Sequence, residues 1–329
     1  MRRIELSRWG APEEVADVVE RPDLPPPGAG EVLFDVLLFP LNPADYAFCR
    51  GSYRLKPPLP ATPGAECVGR VRAVGADVNG IAPGDLVINM QRENWASQRC
   101  VAATDVITLP KDIETRQAAM LRINPPTASL LLSDVVVLKS GDWIIQNVGN
   151  SAVGRLIIRF AKARGLRTLN VVRRKDVFDD LAALGADACL LDGDDLPEQA
   201  RHATGGAPIS LGLDAIAGAA TARIAACVAD GGHICVYGAM SGDAVQVPTS
   251  DLVYRGVTLT GFMLGRFLAR RPMGAIRTLY ADLAQAMLRG DVSAPVDCIY
   301  PIEQIGDALR HAQSPGHHGK ILVAPNGPI

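Results

Sequence analysis

The segment whose residue types and spacing carry the most chemistry is Gln146-Asn-Val-Gly-Asn-Ser-Ala-Val-Gly154. It lies between the strand-like run Trp143–Val148 and the helical pattern Val153–Arg164, the context in which a glycine-rich match predicts a nucleotide cradle. Gly149 is expected to allow the tight turn, and Gly154 to let helix and strand pack closely. Ser151 replaces the middle glycine of a G-x-G-x-x-G pattern; it is small enough for a pyrophosphate to approach and adds a hydroxyl donor. A helix starting here offers phosphates free backbone N–H groups and the positive end of its dipole.

The strand that follows bears on cofactor choice. An acidic residue at its end would accept from a ribose 2′-hydroxyl and repel a 2′-phosphate. This strand ends Val171-Val-Arg-Arg-Lys175 instead. Three consecutive cations favour NADPH, with the guanidinium of Arg173 or Arg174 matching a phosphate in bidentate fashion. Asp176 follows directly and keeps a solvated charge run open as the alternative.

Metal donors are not grouped in the sequence. None of His202, His233, His311, His317 and His318 pairs with cysteines at zinc-site spacing, and His317-His318 reads as a polar turn. Seven cysteines are scattered without a C-x-x-C pair, which suits small buried hydrophobes in a reducing cytoplasm. Cys49 and Cys67 are singled out only because they neighbour the motifs below. Met1 to Trp9 lacks the apolar core of a signal peptide and reads as a first strand.

The elements that position these residues fall into two rhythms. A chain of 329 residues fits two domains, or one interrupted by another. Up to residue 122, short apolar runs such as Glu31–Leu38, Glu66–Val74 and Asp85–Ile88 alternate with Pro- and Gly-rich connectors, the signature of a partly open β-barrel. Residues 123–265 alternate strand, turn and helix, which builds a doubly wound parallel sheet of Rossmann type. Residues 266–329, ending in the strand Lys320–Val323, are expected to return to the first domain. The fold class is therefore α/β. A net charge of −2 gives no footprint for nucleic acid, and apolar stretches such as Val135–Leu138 are far too short to span a membrane.

Taken together, the motifs resemble the medium-chain dehydrogenase/reductase superfamily, and especially its mitochondrial-type trans-2-enoyl thioester reductases. The carriers, spread over nearly the full length, are Leu41-Asn-Pro-Ala-Asp45, Gly51-Ser-Tyr53, Ile123-Asn-Pro-Pro-Thr127, Gln146 to Gly154, Asn170-Val-Val-Arg173, Tyr237-Gly-Ala-Met240 and Gly261-Phe-Met-Leu264. The resemblance implies a GroES-like catalytic domain beside the Rossmann domain. Zinc-dependent relatives carry Gly-His-Glu, whereas this chain reads Gly64-Ala65-Glu66 and has Pro43 and Ala44 in the upstream region. A zinc-free reductase is the expectation.

By the same resemblance, Tyr53 is the proton donor; a phenol, with reference pKa about 10, is protonated at neutral pH. Asn124 would lie near the nicotinamide end, Asn150, Ser151, Ala152 and Val153 at the pyrophosphate, and Arg173, Arg174 and Lys175 around the 2′-phosphate. Tyr237, Gly238, Ala239 and Met240, with Phe262, Met263, Leu264 and Gly265, would line the nicotinamide and its ribose, and Lys320 would approach the cofactor. Asn42 and Trp95 would line the substrate pocket. The loop around Glu93-Asn-Trp95 is shorter than the family's, and Met263 stands where an aromatic residue is common, so the acyl pocket is expected to differ.

The implied reaction is NADPH-dependent reduction of a trans-2-enoyl thioester carried on CoA or acyl carrier protein. Reduction of a quinone or enone, and an NADPH-binding sensor without efficient chemistry, remain the alternatives. A homodimer is expected from the family, with strand-like runs in Val245–Leu264 available to pair across a two-fold axis.

Overall fold

A computed structural model describes residues 1–314, 316 and 318–328, so His317 lies outside the described residues. The chain divides into two compact units, residues 1–123 with 274–329 (unit 1) and residues 124–273 (unit 2).

Unit 1 opens with an antiparallel ribbon of β1 (Arg2–Glu5) and β2 (Asp17–Glu20). Its spine is β3 (Glu31–Pro40), in which Val32, Leu33, Phe34, Val36, Leu38 and Phe39 are all buried. An apolar run of this kind, flanked by Gly and Pro, suits a strand covered on both sides. Antiparallel to β3 run β4 (Val68–Val74) and β6 (Gln98–Ala102). The path continues from β4 through β5 (Leu86–Asn89) to β7 (Val106–Thr108).

Unit 2 is a six-stranded, wholly parallel sheet. Its strands are β8 (Trp143–Asn147), β9 (Arg167–Val172), β10 (Ala188–Leu191), β11 (Ile209–Asp214), β12 (His233–Val236) and β13 (Thr258–Gly261), in spatial order β10-β9-β8-β11-β12-β13. This is the doubly wound Rossmann order. The helix Ala152–Ala163 buries Gly154, Leu156, Ile157, Ile158 and Ala161, the stripe that its 3.6-residue period turns to one side.

The order reverses between β8 and β11, and ligands of such sheets bind outside the carboxyl ends of the strands at that point. Buried Asp214 braces it by accepting from the Asn147 amide at 2.6 Å, the Thr221 hydroxyl at 2.5 Å and the backbone N–H groups of Ile216 and Ala217 at 2.8 and 3.1 Å.

After the helix Met273–Leu288, β14 (Val296–Pro301) pairs parallel to β15 (Lys320–Ala324), and β15 pairs antiparallel to β3 opposite Phe39 and Pro40. The tail thus completes the unit 1 sheet. Residues 266–273, grouped above with this return, cluster with unit 2 instead. The Phe267 ring packs at a tilt against Phe262 of the same unit, centroids 4.3 Å apart.

Candidate active site: a nucleotide cradle and a buried charge cluster

In unit 2 the glycine-rich segment forms the turn from β8 into helix Ala152–Ala163. The left-handed residue of this turn is Val148 (φ 51), not Gly149. A β-branched residue there is strained, a feature that folded proteins hold mainly where function needs it. Gly149 is required for space: a Cβ would come within 3.0 Å of the Asn170 Cβ. At Gly154 a Cβ would lie 2.7 Å from the carbonyl oxygens of Val148 and Gly149, which is backbone that cannot yield. Ser151 caps the helix, its Oγ accepting from the Gly154 N–H at 3.0 Å. The Gln146 amide donates to Gly154 O at 2.9 Å and to Asn170 Oδ1 at 2.7 Å, fastening strand, helix and next strand together.

Arg173, Arg174 and Lys175 lie directly beyond β9 and are all exposed. Asp176 pairs with Arg174 at 3.3 Å. Arg173 and Lys175 form no ion pair among the described residues. Such cations stay available to an incoming phosphate.

Beyond β12, Gly238 packs so closely on Ala215 that a Cβ would meet its carbonyl oxygen at 2.6 Å, while Ala239 and Met240 are exposed. Tyr237 places its hydroxyl near Ser151, where it is buried without a hydrogen-bond partner. Burial first, and the Asp214 carboxylate second, push this phenol well above its ordinary pKa. The Asn124 side-chain N–H₂ is likewise buried and unpartnered. Orphaned buried donors in a native fold call for an explanation, and a ligand is one. Phe262 is buried on Phe267, Met263 and Leu264 are half-buried, and Gly265 is exposed.

In unit 1 the helix Pro43–Cys49 is followed by Gly51 (φ 67), where a Cβ would press on Trp9 at 3.0 Å. The Tyr53 N–H then donates to Ala47 O at 3.0 Å, and its half-buried ring packs on the core. Burial pushes the thiols of nearby Cys49 and Cys67 up to about 12, which leaves them unreactive.

A buried charge cluster lies in the same unit. Glu66 Oε1 accepts from the Asn42 amide at 2.9 Å and Oε2 from the Ile123 N–H at 3.0 Å. The Lys320 ammonium donates to Asn42 Oδ1 and, at 3.3 Å, to Leu41 O. Asp45 accepts from the Asn42 N–H at 3.2 Å and faces Arg92 Nη2 at 3.6 Å. Arg122 donates to the carbonyls of Ala65 and Met90. Burial is the main cause of each shift: it raises Glu66 to about 7 and Asp45 to about 6, and it lowers Lys320 and Arg122.

Two of the expected site residues belong to this cluster: the Lys320 ammonium is hydrogen-bonded to the Asn42 side chain and the Leu41 carbonyl, and the Asn42 amide to Glu66. Trp95 is a core residue of the unit. It is 0% exposed, stacked on Phe39 with centroids 5.7 Å apart in the core of the unit. Sequence reasoning missed Asp45, Arg92 and Arg122 as a group because their partners are distant along the chain. Among the described residues, no three His, Cys, Asp or Glu side chains come together as a metal site. No helix of the described residues is long and apolar enough to cross a membrane.

Comparison with known proteins places these features in a family. Residues 28–109 match the alcohol dehydrogenase GroES-like domain, and residues 152–281 match the family described as zinc-binding dehydrogenase. The chain is 30% identical to the mitochondrial enoyl-[acyl-carrier-protein] reductase of Dictyostelium discoideum, over 98% of this chain and 94% of that one. A mycobacterial quinone oxidoreductase is 26% identical with TM-score 0.85, covering 99% of this chain and 100% of that one. A mycobacterial protein solved in complex with NADPH is 26% identical with TM-score 0.88 over the same shares of the two chains.

Proposed function

The chain belongs to the medium-chain dehydrogenase/reductase superfamily of oxidoreductases, and from that premise we propose that it reduces the carbon–carbon double bond of a trans-2-enoyl thioester with NADPH. The observation that carries the reading is the fate of Glu66. The residue beside it is Ala65 rather than histidine, and its carboxylate is filled by Asn42 and Ile123 with the Lys320 ammonium close by. This region is satisfied from within the protein, which supports a reaction run without zinc. An alcohol substrate would need such a Lewis acid; an enone or enoyl thioester does not.

When bound, NADPH would supply the hydride for the β-carbon. The free cations Arg173 and Lys175 suit its 2′-phosphate, and the capped helix at Ser151 suits its pyrophosphate. The hydroxyls and amides of Tyr237, Ser151 and Asn124 are the donors best placed in unit 2 to hold the cofactor. Hydride addition would push the π pair of the substrate onto the thioester oxygen as an enolate; that pair then returns to form the α-carbon–hydrogen bond with the proton of the Tyr53 hydroxyl, and the tyrosinate left behind regains a proton from water. CoA and acyl carrier protein are the two candidate carriers.

A second reading, reduction of a quinone or enone, is supported by the likeness to the mycobacterial quinone oxidoreductase. NADPH oxidation followed with short and medium enoyl-CoAs, enones and quinones, then repeated with NADH, separates the two. Tyr53→Phe is expected to lower kcat on enoyl-CoA by roughly a hundredfold or more while NADPH binding persists. Turnover confined to quinones, or unchanged in Tyr53→Phe, would sink the enoyl thioester mechanism. We further propose a homodimer through the β13 edge, whose four residues are all exposed and which lies in a unit that also exposes Val253 and Tyr254.

A further inference from the structure

We propose that Arg92 is a positioning residue for proton transfer: lying on the Tyr53 ring and held by Asp45, its guanidinium stabilises the negative charge left when the phenol gives up its proton. The proposal rests on Tyr53 being the donor.

The guanidinium carbon sits 4.9 Å from the Tyr53 ring centroid and 5.6 Å from that of Phe48, within cation–π range of both. Three features keep it there. Asp45, wholly buried, presents Oδ1 to Arg92 Nη2 at 3.6 Å. The Arg92 carbonyl accepts from Arg99 Nη2 at 3.2 Å. Glu93 next to it adopts φ 67 and pairs with Arg99 at 3.3 Å, which fixes the loop.

The charge is also not consumed elsewhere. Arg92 Nη2 and Asp45 Oδ1 are both buried without a hydrogen bond, so the pair is an electrostatic tether at a distance. The Arg92 side chain is only 23% exposed, and an interior of low dielectric strengthens its field. Against a neutral phenol, that field meets only a ring quadrupole. Against the phenolate it meets a full negative charge. The attraction therefore grows along the proton transfer, which is the condition for an interaction to accelerate a step rather than merely hold a ground state.

Arg92 acts through Tyr53 and need not touch substrate. Full-length protein is assayed with trans-2-butenoyl-CoA and saturating NADPH, as wild type, Arg92→Gln, Arg92→Lys, Tyr53→Phe and the Tyr53→Phe/Arg92→Gln double variant. Arg92→Gln is expected to lower kcat about tenfold, to change KM by less than about twofold, and to enlarge the solvent deuterium isotope effect on kcat. Arg92→Lys, which keeps the charge, should recover kcat to within about threefold of wild type. In the Tyr53→Phe background Arg92→Gln should cost less than about twofold, because there is no proton left for it to assist.

An equal loss in both backgrounds overturns the proposal and makes Arg92 a packing residue. A raised KM at unchanged kcat overturns it in favour of a substrate contact. Wild-type kcat in Tyr53→Phe overturns the donor reading and this proposal with it, whereas a slow Tyr53→Phe beside a fast Arg92→Gln overturns this proposal alone. Should Arg92→Gln not fold, Arg92→Lys carries the test: a tenfold loss without a larger isotope effect overturns the proposal, and near-complete activity supports it.

Discussion

The nucleotide cradle of unit 2 and the charge cluster of unit 1 treat their positive charges in opposite ways. In unit 2, Arg173, Arg174 and Lys175 stand exposed beyond β9, with Asp176 as partner to Arg174 alone. In unit 1, Arg122 and Lys320 are wrapped by carbonyl oxygens and the Asn42 amide close to Glu66 and Asp45, and Arg92 is tethered to Asp45. A hydrated surface cation costs the fold little and can be handed to a ligand. A buried cation has lost its water and must keep its protein partners. Charge proposed to bind the cofactor should therefore be separable from charge that holds unit 1 together.

Lys320→Met tests this at its strongest point. Removing the ammonium takes one buried counter-charge from Glu66 and Asp45, leaving Arg122 and Arg92 beside them, and unfolding by urea should show a loss of roughly 3 kcal/mol. NADPH affinity of the folded fraction should change little. A large loss of affinity at unchanged stability would return Lys320 to the cofactor and break the comparison.

Arg173→Ala is the mirror experiment. NADPH should bind roughly tenfold to a hundredfold more weakly, NADH about as before, and the urea midpoint should not move. Equal loss of both cofactors would remove the 2′-phosphate from this site.

The smallest expected effect, taken per pH unit, is a slope in stability. Burial raises Glu66 from 4.5 to about 7 and Asp45 from 3.8 to about 6, so between these values the folded protein holds protons that the unfolded chain releases. Stability contributed by these groups thus falls as pH rises through that window and levels off above it, on the order of 1 kcal/mol per pH unit where Glu66 titrates. Urea unfolding at several pH values between 5 and 8 reads this slope, which Glu66→Gln should flatten. Stability that climbs with pH across the window would contradict it.

Much of unit 2 was legible in the sequence. The strand-turn-helix at residues 143–164 and the cations after β9 are contiguous, and a contiguous segment carries its hydrophobic period, its cap and its charge on its face. Even there the turn geometry was read too simply, since the positive φ belongs to Val148 and Gly149 is needed for room beside Asn170. Trp95 shows the opposite limit. An aromatic in a loop motif looks the same in sequence whether it lines a pocket or, as here, stacks on Phe39 in a core.

The sequence by itself therefore determined the α/β class, the parallel sheet with its cradle, the absence of a histidine beside Glu66, and the cation run after β9. Only the tertiary structure decided which charges are free. Asp45, Glu66, Arg92, Arg122 and Lys320 come from a helix, two loops, the unit boundary and the last strand, and they meet only when β15 closes on β3. Burial and partnership belong to that meeting, because desolvation acts on a side chain's surroundings in space and local sequence does not record them.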